Sequence, residues 1–329
     1  MHPAFSVILL TTLIGAGQGL FLALFTVQTY ALVGVLPAAE GRGLYVSGSA
    51  IALALLVVGL VASFFHLGRP ERAWRSAAQW RTSWLSREVI VLPAFIGAVA
   101  VYGALHATGW DPALYTVRDG LAIDLSIVVG VAATVLAFAL FVCTGMVYAC
   151  MRFLAEWHTS LTPLNYTLLG GASGFTLAAG LAALVEPQRA GFLSGWAVVL
   201  TLLAAVGRGA SLLRNARLRP RSTLQSAIGV KHPTVVQRSM GFMGGSFNTR
   251  EFFHGASPAV LRAVKPAFLL LAFVVPLVLL VGWRLEAGDG SASLLLAAFG
   301  VQFIGLLAER WFFFAQANHP QNLYYQVVS

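Results

Sequence analysis

The sequence predicts an all-α fold, a polytopic membrane bundle of about eight transmembrane helices. Three observations predict it. Of the 329 residues, 58% are apolar and only 10% are charged, outside the range of soluble globular domains. Apolar runs long enough to cross bilayer hydrocarbon, about 20 residues each, recur along the chain. Lipid tolerates only helices and closed barrels, because every backbone polar group must be satisfied internally.

Taken in order, the spans are expected at about residues 5–36, 48–67, 87–108, 121–151, 165–186, 192–213, 264–284 and 292–315. The first and fourth are long enough to tilt or protrude. A single integral-membrane domain covers residues 1–329, and one connector is long, at about residues 214–263. The first span lacks a basic leading region and a small-residue cleavage site, so no cleavable signal peptide is expected. Cys143 and Cys150 fall seven apart in span four. That spacing is no metal-ligand or disulfide framework, and it reads as packing.

Charge orients the bundle. The basic residues divide sixteen to four between the two faces, with Arg208 inside span six completing the 21. The rich face includes Arg69, Arg72, Arg75, Arg81, Arg87, Arg152, Arg214 and Arg310. By the positive-inside rule, both termini are expected in the cytoplasm of a multi-pass protein of the bacterial inner membrane. The net charge of +9 then reflects topology, not nucleic-acid binding.

The chemistry concentrates in the connector between spans two and three. It carries His66-Leu67-Gly68-Arg69-Pro70 and, further on, Leu85-Ser86-Arg87-Glu88. A structural reading exists for each. Gly68 suits a left-handed position after a helix, Pro70 prevents continuation, and a histidine in the last turn favours the helix dipole. Ser86 can cap span three, and a glutamate in its first turn is what a helix N-terminus prefers. The functional reading stands beside these. A quinone takes up two electrons and two protons at its carbonyl oxygens. The His66 imidazole suits one proton transfer, and a partly buried Glu88 can relay it to water. Arg87 can orient a carbonyl or pair with Glu88. Both readings stay open.

Histidine placement argues against a haem held between two imidazoles. His66 closes span two on one side and His106 closes span three on the other, about a bilayer thickness, roughly 30 Å, apart. No metal site is expected, and no iron–sulfur cluster in this chain. Arg208 reads as a snorkelling arginine or as an anion or redox-site partner. Arg152 and Glu156 have the spacing of an ordinary helical ion pair. Glu309 and Arg310 precede Trp311-Phe312-Phe313-Phe314, an interfacial belt or packing cluster. The long connector holds Gly-Ser-Phe-Asn-Thr-Arg-Glu-Phe-Phe-His at residues 245–254. Apolar side chains there suggest a contact surface or a loop folded over the bundle's own ends.

With those motifs and spans, nearly the whole chain resembles the membrane-anchor subunits of DMSO-reductase-type molybdoenzymes. The start Met1-His2-Pro3-Ala4-Phe5-Ser6-Val7, the 245–254 run and the Glu-Arg-Trp-Phe-Phe-Phe-Ala end look more like one branch, the anchors of cytoplasmic sulfite-oxidising enzymes. The resemblance implies a molybdopterin catalytic subunit, an iron–sulfur electron-transfer subunit and an anchor, without haem, that binds ubiquinone or menaquinone from the lipid. It places the family's proposed quinone-site histidine on His66 and its acid on Glu88, with Arg69 and Arg87 accompanying them by proximity alone. The expected function is electron passage between the iron–sulfur subunit and membrane quinone, with sulfite as the electron source. An anchor oxidising menaquinol for an S- or N-oxide reductase is the alternative. Two rivals remain. A purely structural anchor has no quinone site, and a secondary transporter has helices interrupted at matching places in two halves. Pro276 interrupts span seven and Gly170, Gly171 and Gly174 crowd span five, without forming such a pair.

Overall fold

The computed structural model describes residues 1–37, 41–116, 122–219, 223–235, 254–286 and 291–319. Eight helices among them are long and apolar enough to cross a membrane. They are α1 (Phe5–Leu32), α2 (Gly43–Phe64), α3 (Trp84–Thr108), α4 (Leu125–Ala149), α5 (Leu161–Val185), α6 (Pro187–Ala216), α8 (Pro258–Leu285) and α9 (Ala292–Ala315). A short α7 (Leu224–Ile228) lies in the long connector. The expected bundle is present.

Local chemistry sets the ends and moves several of them. Gly34 adopts φ 74 just past α1, a left-handed stop that ends the helix at Leu32 rather than near residue 36. A two-stranded antiparallel hairpin, β1 (Ala113–Thr116) with β2 (Ala122–Asp124), takes residues expected in span four. Helix α4 therefore starts at Leu125. There Asp111 Oδ1 accepts from the Ser126 amide at 2.8 Å, satisfying one of the donors that a helix start leaves open. Ser257 caps α8 and Pro258 occupies its first turn, so α8 begins six residues earlier than expected. The stretch at 245–253, with Arg118, Arg221, Arg238 and Arg250, lies outside the described residues.

The two most buried spans are α1 and α5, and their contact explains why. Gly15 and Gly19 on α1 face Gly170 and Gly174 on α5, two small-xxx-small stripes. A Cβ at Gly19 would fall on the Gly170 carbonyl, and one at Gly174 on the Gly19 backbone. Without a hydrophobic drive between helices in lipid, such backbone-to-backbone packing is a main source of association. The span-five glycines are thus a packing seam within an unbroken helix.

Helix α8 contains a π-helical stretch, Leu270–Val274, just before Pro276. Proline lacks the N–H that would bond Ala272 O. Gln302 of α9 donates to that carbonyl instead, at 3.4 Å. The interruption in span seven is closed by a neighbouring helix.

Connector contacts sort the ends of the spans. On one face Met1 donates its amino group to Ala317 O, Trp157 Nε1 donates to Phe313 O, and Arg214 donates to Ala155 O and His158 O. On the other face Arg189, buried beside Glu186 at 3.4 Å, donates to Pro37 O. The first face holds the basic connectors that the charge count grouped together, His66 among them.

Candidate functional site

Helix α2 ends at Phe64, and the amides of Phe65, His66 and Leu67 donate to carbonyls three residues back. His66 therefore stands two residues beyond the helix and is exposed, not in its last turn. Gly68 is not left-handed, because the positive-φ glycines among the described residues are Gly34, Gly109, Gly229 and Gly255. The stop rests on Pro70 instead, which opens a 3-10 segment, Pro70–Gln79. That proline lacks an N–H at a position where the helix would leave the donor unsatisfied. Partial screening of the ring from water pushes the His66 imidazole below its ordinary 6.5, so the ring is neutral at pH 7 and able to accept a proton.

Ser83, not Ser86, caps α3: its side chain accepts from the Ser86 amide. The helix begins at Trp84, so Glu88 sits a full turn inside it, beyond the first-turn position where a carboxylate serves the helix dipole. Its side chain turns inward, and Thr144 Oγ1 on α4 donates to Glu88 Oε1 at 2.6 Å. The capping explanation for Glu88 does not hold. Arg87 points away. It donates to Trp80 O at 2.9 Å and Arg81 O at 2.8 Å, closing the end of the 3-10 segment, with its guanidinium 4.3 Å from the Trp84 ring centroid. It does not pair with Glu88. Arg69 is exposed where the chain enters that segment.

Behind Glu88 lies a small cavity between α1, α3, α4, α5 and α9. Its walls include Gln18, Glu88, Thr144, Tyr166, Ser173 and Arg310. Its free space is on the order of one water molecule. His66, Arg69 and Arg87 do not line it. The structure brings Glu88 to a buried polar chamber and leaves His66 and Arg69 on the connector and Arg87 in the first turn of α3, all outside it.

Arg310, in the wall of that chamber, belongs to a charge cluster the sequence did not assemble. Arg208 Nε on α6 lies 2.7 Å from Glu309 Oε1 on α9, and Arg310 Nη1 lies 3.3 Å from Glu309 Oε2. All three are buried, at 2%, 1% and 5% exposure. Arg208 thus does not snorkel, and Arg310, counted above with the basic face, lies inside the bundle. Arg310 also stands 3.6 Å above the Tyr166 ring centroid. Glu309 was legible as an ionisable group within a span, which in membranes marks a pairing or a site. Arg208 was legible as a possible anion partner, but not that its anion is Glu309, 101 residues away in sequence.

Two smaller expectations resolve here as well. Arg152 and Glu156 lie in an irregular connector, not a helix, and no salt bridge among the described residues joins them. The aromatic run near the C-terminus is packing: Phe313 and Phe314 are buried with Trp157 and Tyr166, and the Trp157 and Phe313 rings stack at 5.3 Å. Among the described residues no group of three or more His, Cys, Asp or Glu side chains is placed to hold a metal ion.

Comparison with known proteins gives this architecture a context. The model of the DMSO reductase anchor subunit (DmsC) family matches residues 1–315. The chain is also 56% identical over 329 residues, the full length of both, to the C subunit of a sulfite dehydrogenase from Allochromatium vinosum. Eight helices long and apolar enough to cross a membrane agree with the family match. The chain belongs to the DMSO reductase anchor subunit family, and is a multi-pass membrane anchor subunit of a DMSO-reductase-type complex.

Proposed function

We propose that this anchor passes electrons from an iron–sulfur subunit into the membrane quinone pool, and that the electrons come from sulfite oxidised by a molybdopterin catalytic subunit. The full-length identity to a sulfite dehydrogenase subunit supports the substrate and the direction. The reverse direction, quinol oxidation for an S- or N-oxide reductase, would use the same residues and is favoured only by the family's description. The charge bias supports a docking face and both termini on the cytoplasmic side of the inner membrane.

The observation that carries the site is Glu88. A carboxylate turned into a span, held by Thr144 and backed by a water-sized polar chamber, is suited to moving protons rather than to capping a helix. That chamber is too small for a quinone ring. The ring is therefore assigned to the outer side of Glu88, toward His66, where Phe65 and Leu67 are exposed. Each ring reduced takes two electrons from the iron–sulfur subunit and two protons, converting two carbonyls to hydroxyls. His66 supplies one proton-transfer group outside the bundle and Glu88 a second at its edge. Arg69 and Arg87 contribute positive charge nearby and no direct contact.

The test uses the complex purified through a tag on this chain, with the copurifying chains identified by mass spectrometry. Sulfite-dependent reduction of a water-soluble quinone is compared with reduction of an artificial dye acceptor. A lost acid–base group typically costs about 10²–10⁴ in rate. His66→Phe and Glu88→Gln should lower quinone reduction by at least the smaller factor while dye reduction persists. Unchanged quinone reduction in both variants would remove the site assignment.

A further inference from the structure

A second cavity adjoins the chamber behind Glu88. It is lined by Glu156, Asn165, Tyr166, Arg208, Glu309 and Arg310, with Ser211 beside Asn165. Tyr166 and Arg310 stand in the walls of both cavities. The second space is also barely water-sized. At one end it reaches Glu156 in the connector between α4 and α5, a half-buried residue on the basic face. That connector is pinned in place by Arg214, which donates to Ala155 O, and by Asn215, which donates to Glu156 O.

Several walls of the second cavity have hydrogen-bonding capacity that the protein does not use. Asn165 Nδ2 donates to Ser211 Oγ at 2.7 Å, but Asn165 Oδ1 has no protein partner. Arg208 Nη2 has none either. Both side chains are buried, at 5% and 2% exposure. Leaving such atoms dry is destabilising, whereas a buried water with two to four polar partners satisfies them.

We propose that the two cavities hold a continuous file of ordered waters from Glu88 to Glu156, and that protons reach the quinone site along it. The inference rests on the quinone reading above. A ring seated against Glu88 from the His66 side covers the direct way to bulk water, so the rear chamber becomes the open route. Protons move between carboxylate, water and the Tyr166 hydroxyl. Arg310 does not give up its proton; with Arg208 it orients the waters, and Glu309 holds the two guanidinium groups in register. Of the two protons taken up per ring reduced, the file delivers one through Glu88 and the exposed His66 passes the other, matching the two electrons from the iron–sulfur side.

The experiment has one readout that needs no redox activity. Radiolytic hydroxyl labelling in ¹⁸O water marks buried side chains that touch ordered water. In the intact complex Tyr166 should incorporate ¹⁸O, Asn165→Leu should lower that labelling to the share from the chamber behind Glu88, which Tyr166 also lines, and Asn165→Asp, which keeps a polar wall, should retain it in full. An unlabelled Tyr166 in the unaltered complex overturns the water file. In the second readout, Asn165→Leu should slow quinone reduction about 10-fold or more with unchanged binding of a quinol analogue and unchanged dye reduction. If Asn165→Leu does not assemble, Ser211→Leu narrows the same space from α6. Labelling lowered with full quinone turnover retained overturns the route and leaves the quinone site standing. An unaltered complex that labels at Tyr166 but never reduces quinone overturns the functional reading, and the proton route with it.

Discussion

Thr144 on α4 donates a 2.6 Å hydrogen bond to Glu88 on α3. This bond joins two spans on the basic half of the bundle and turns Glu88 toward the interior. Thr144→Val keeps the shape and removes the donor, leaving a half-buried carboxylate oxygen unpaired. Such a loss costs about 1–3 kcal/mol. The variant should lower the denaturation midpoint in mild detergent and slow quinone reduction, and Thr144→Ser should restore both.

The Arg208–Glu309–Arg310 cluster predicts a larger effect. Removing one partner of a buried ion pair leaves uncompensated charge and costs about 3–5 kcal/mol. Glu309→Gln should therefore deplete the assembled anchor in membranes. Combining it with Arg208→Met removes one of the two stranded charges and leaves Arg310. The double variant should recover part of the loss, whereas additive losses would show that the two groups are not coupled.

Among the glycines of the α1–α5 seam, the geometry discriminates. Gly19→Ala and Gly174→Ala place a methyl group on opposing backbone, and Gly15→Ala meets the Gly170 Cα at an ordinary 3.5 Å. The first two should reduce the amount of protease-resistant anchor. Gly15→Ala should be tolerated far better, because its methyl group meets only an ordinary van der Waals contact. Equal behaviour of the three would contradict the seam.

His66 sets a pH dependence. Its imidazole is held below 6.5 by partial burial, so above that pH folded and unfolded chains both carry it neutral and it adds no slope. As pH falls below about 6.5, the unfolded chain takes up the proton first, and stability declines until the folded group also titrates. Quinone reduction, which draws a proton from His66, should rise over that same lower range as the ring becomes charged. A rate profile in which His66→Gln removes the acidic limb checks the assignment; a limb that persists in the variant belongs to another group.

Local composition governed everything about this protein that was legible along the chain. Apolar runs of span length, their number, their alternation and the basic bias of alternate connectors are read residue by residue, because lipid leaves a backbone no option but helix. The motifs around His66 and Glu88 were equally visible. What those groups face was settled only by how the helices pack. Whether Glu88 caps a helix or enters a chamber depended on a cap shifted three residues to Ser83. Whether Arg208 snorkels or pairs depended on a carboxylate in another helix. Pairings across about 100 residues leave no periodicity in the chain, since they arise from which helix faces meet. Here the glycine seam between α1 and α5 draws the central helices together, with the polar chamber between them and their neighbours.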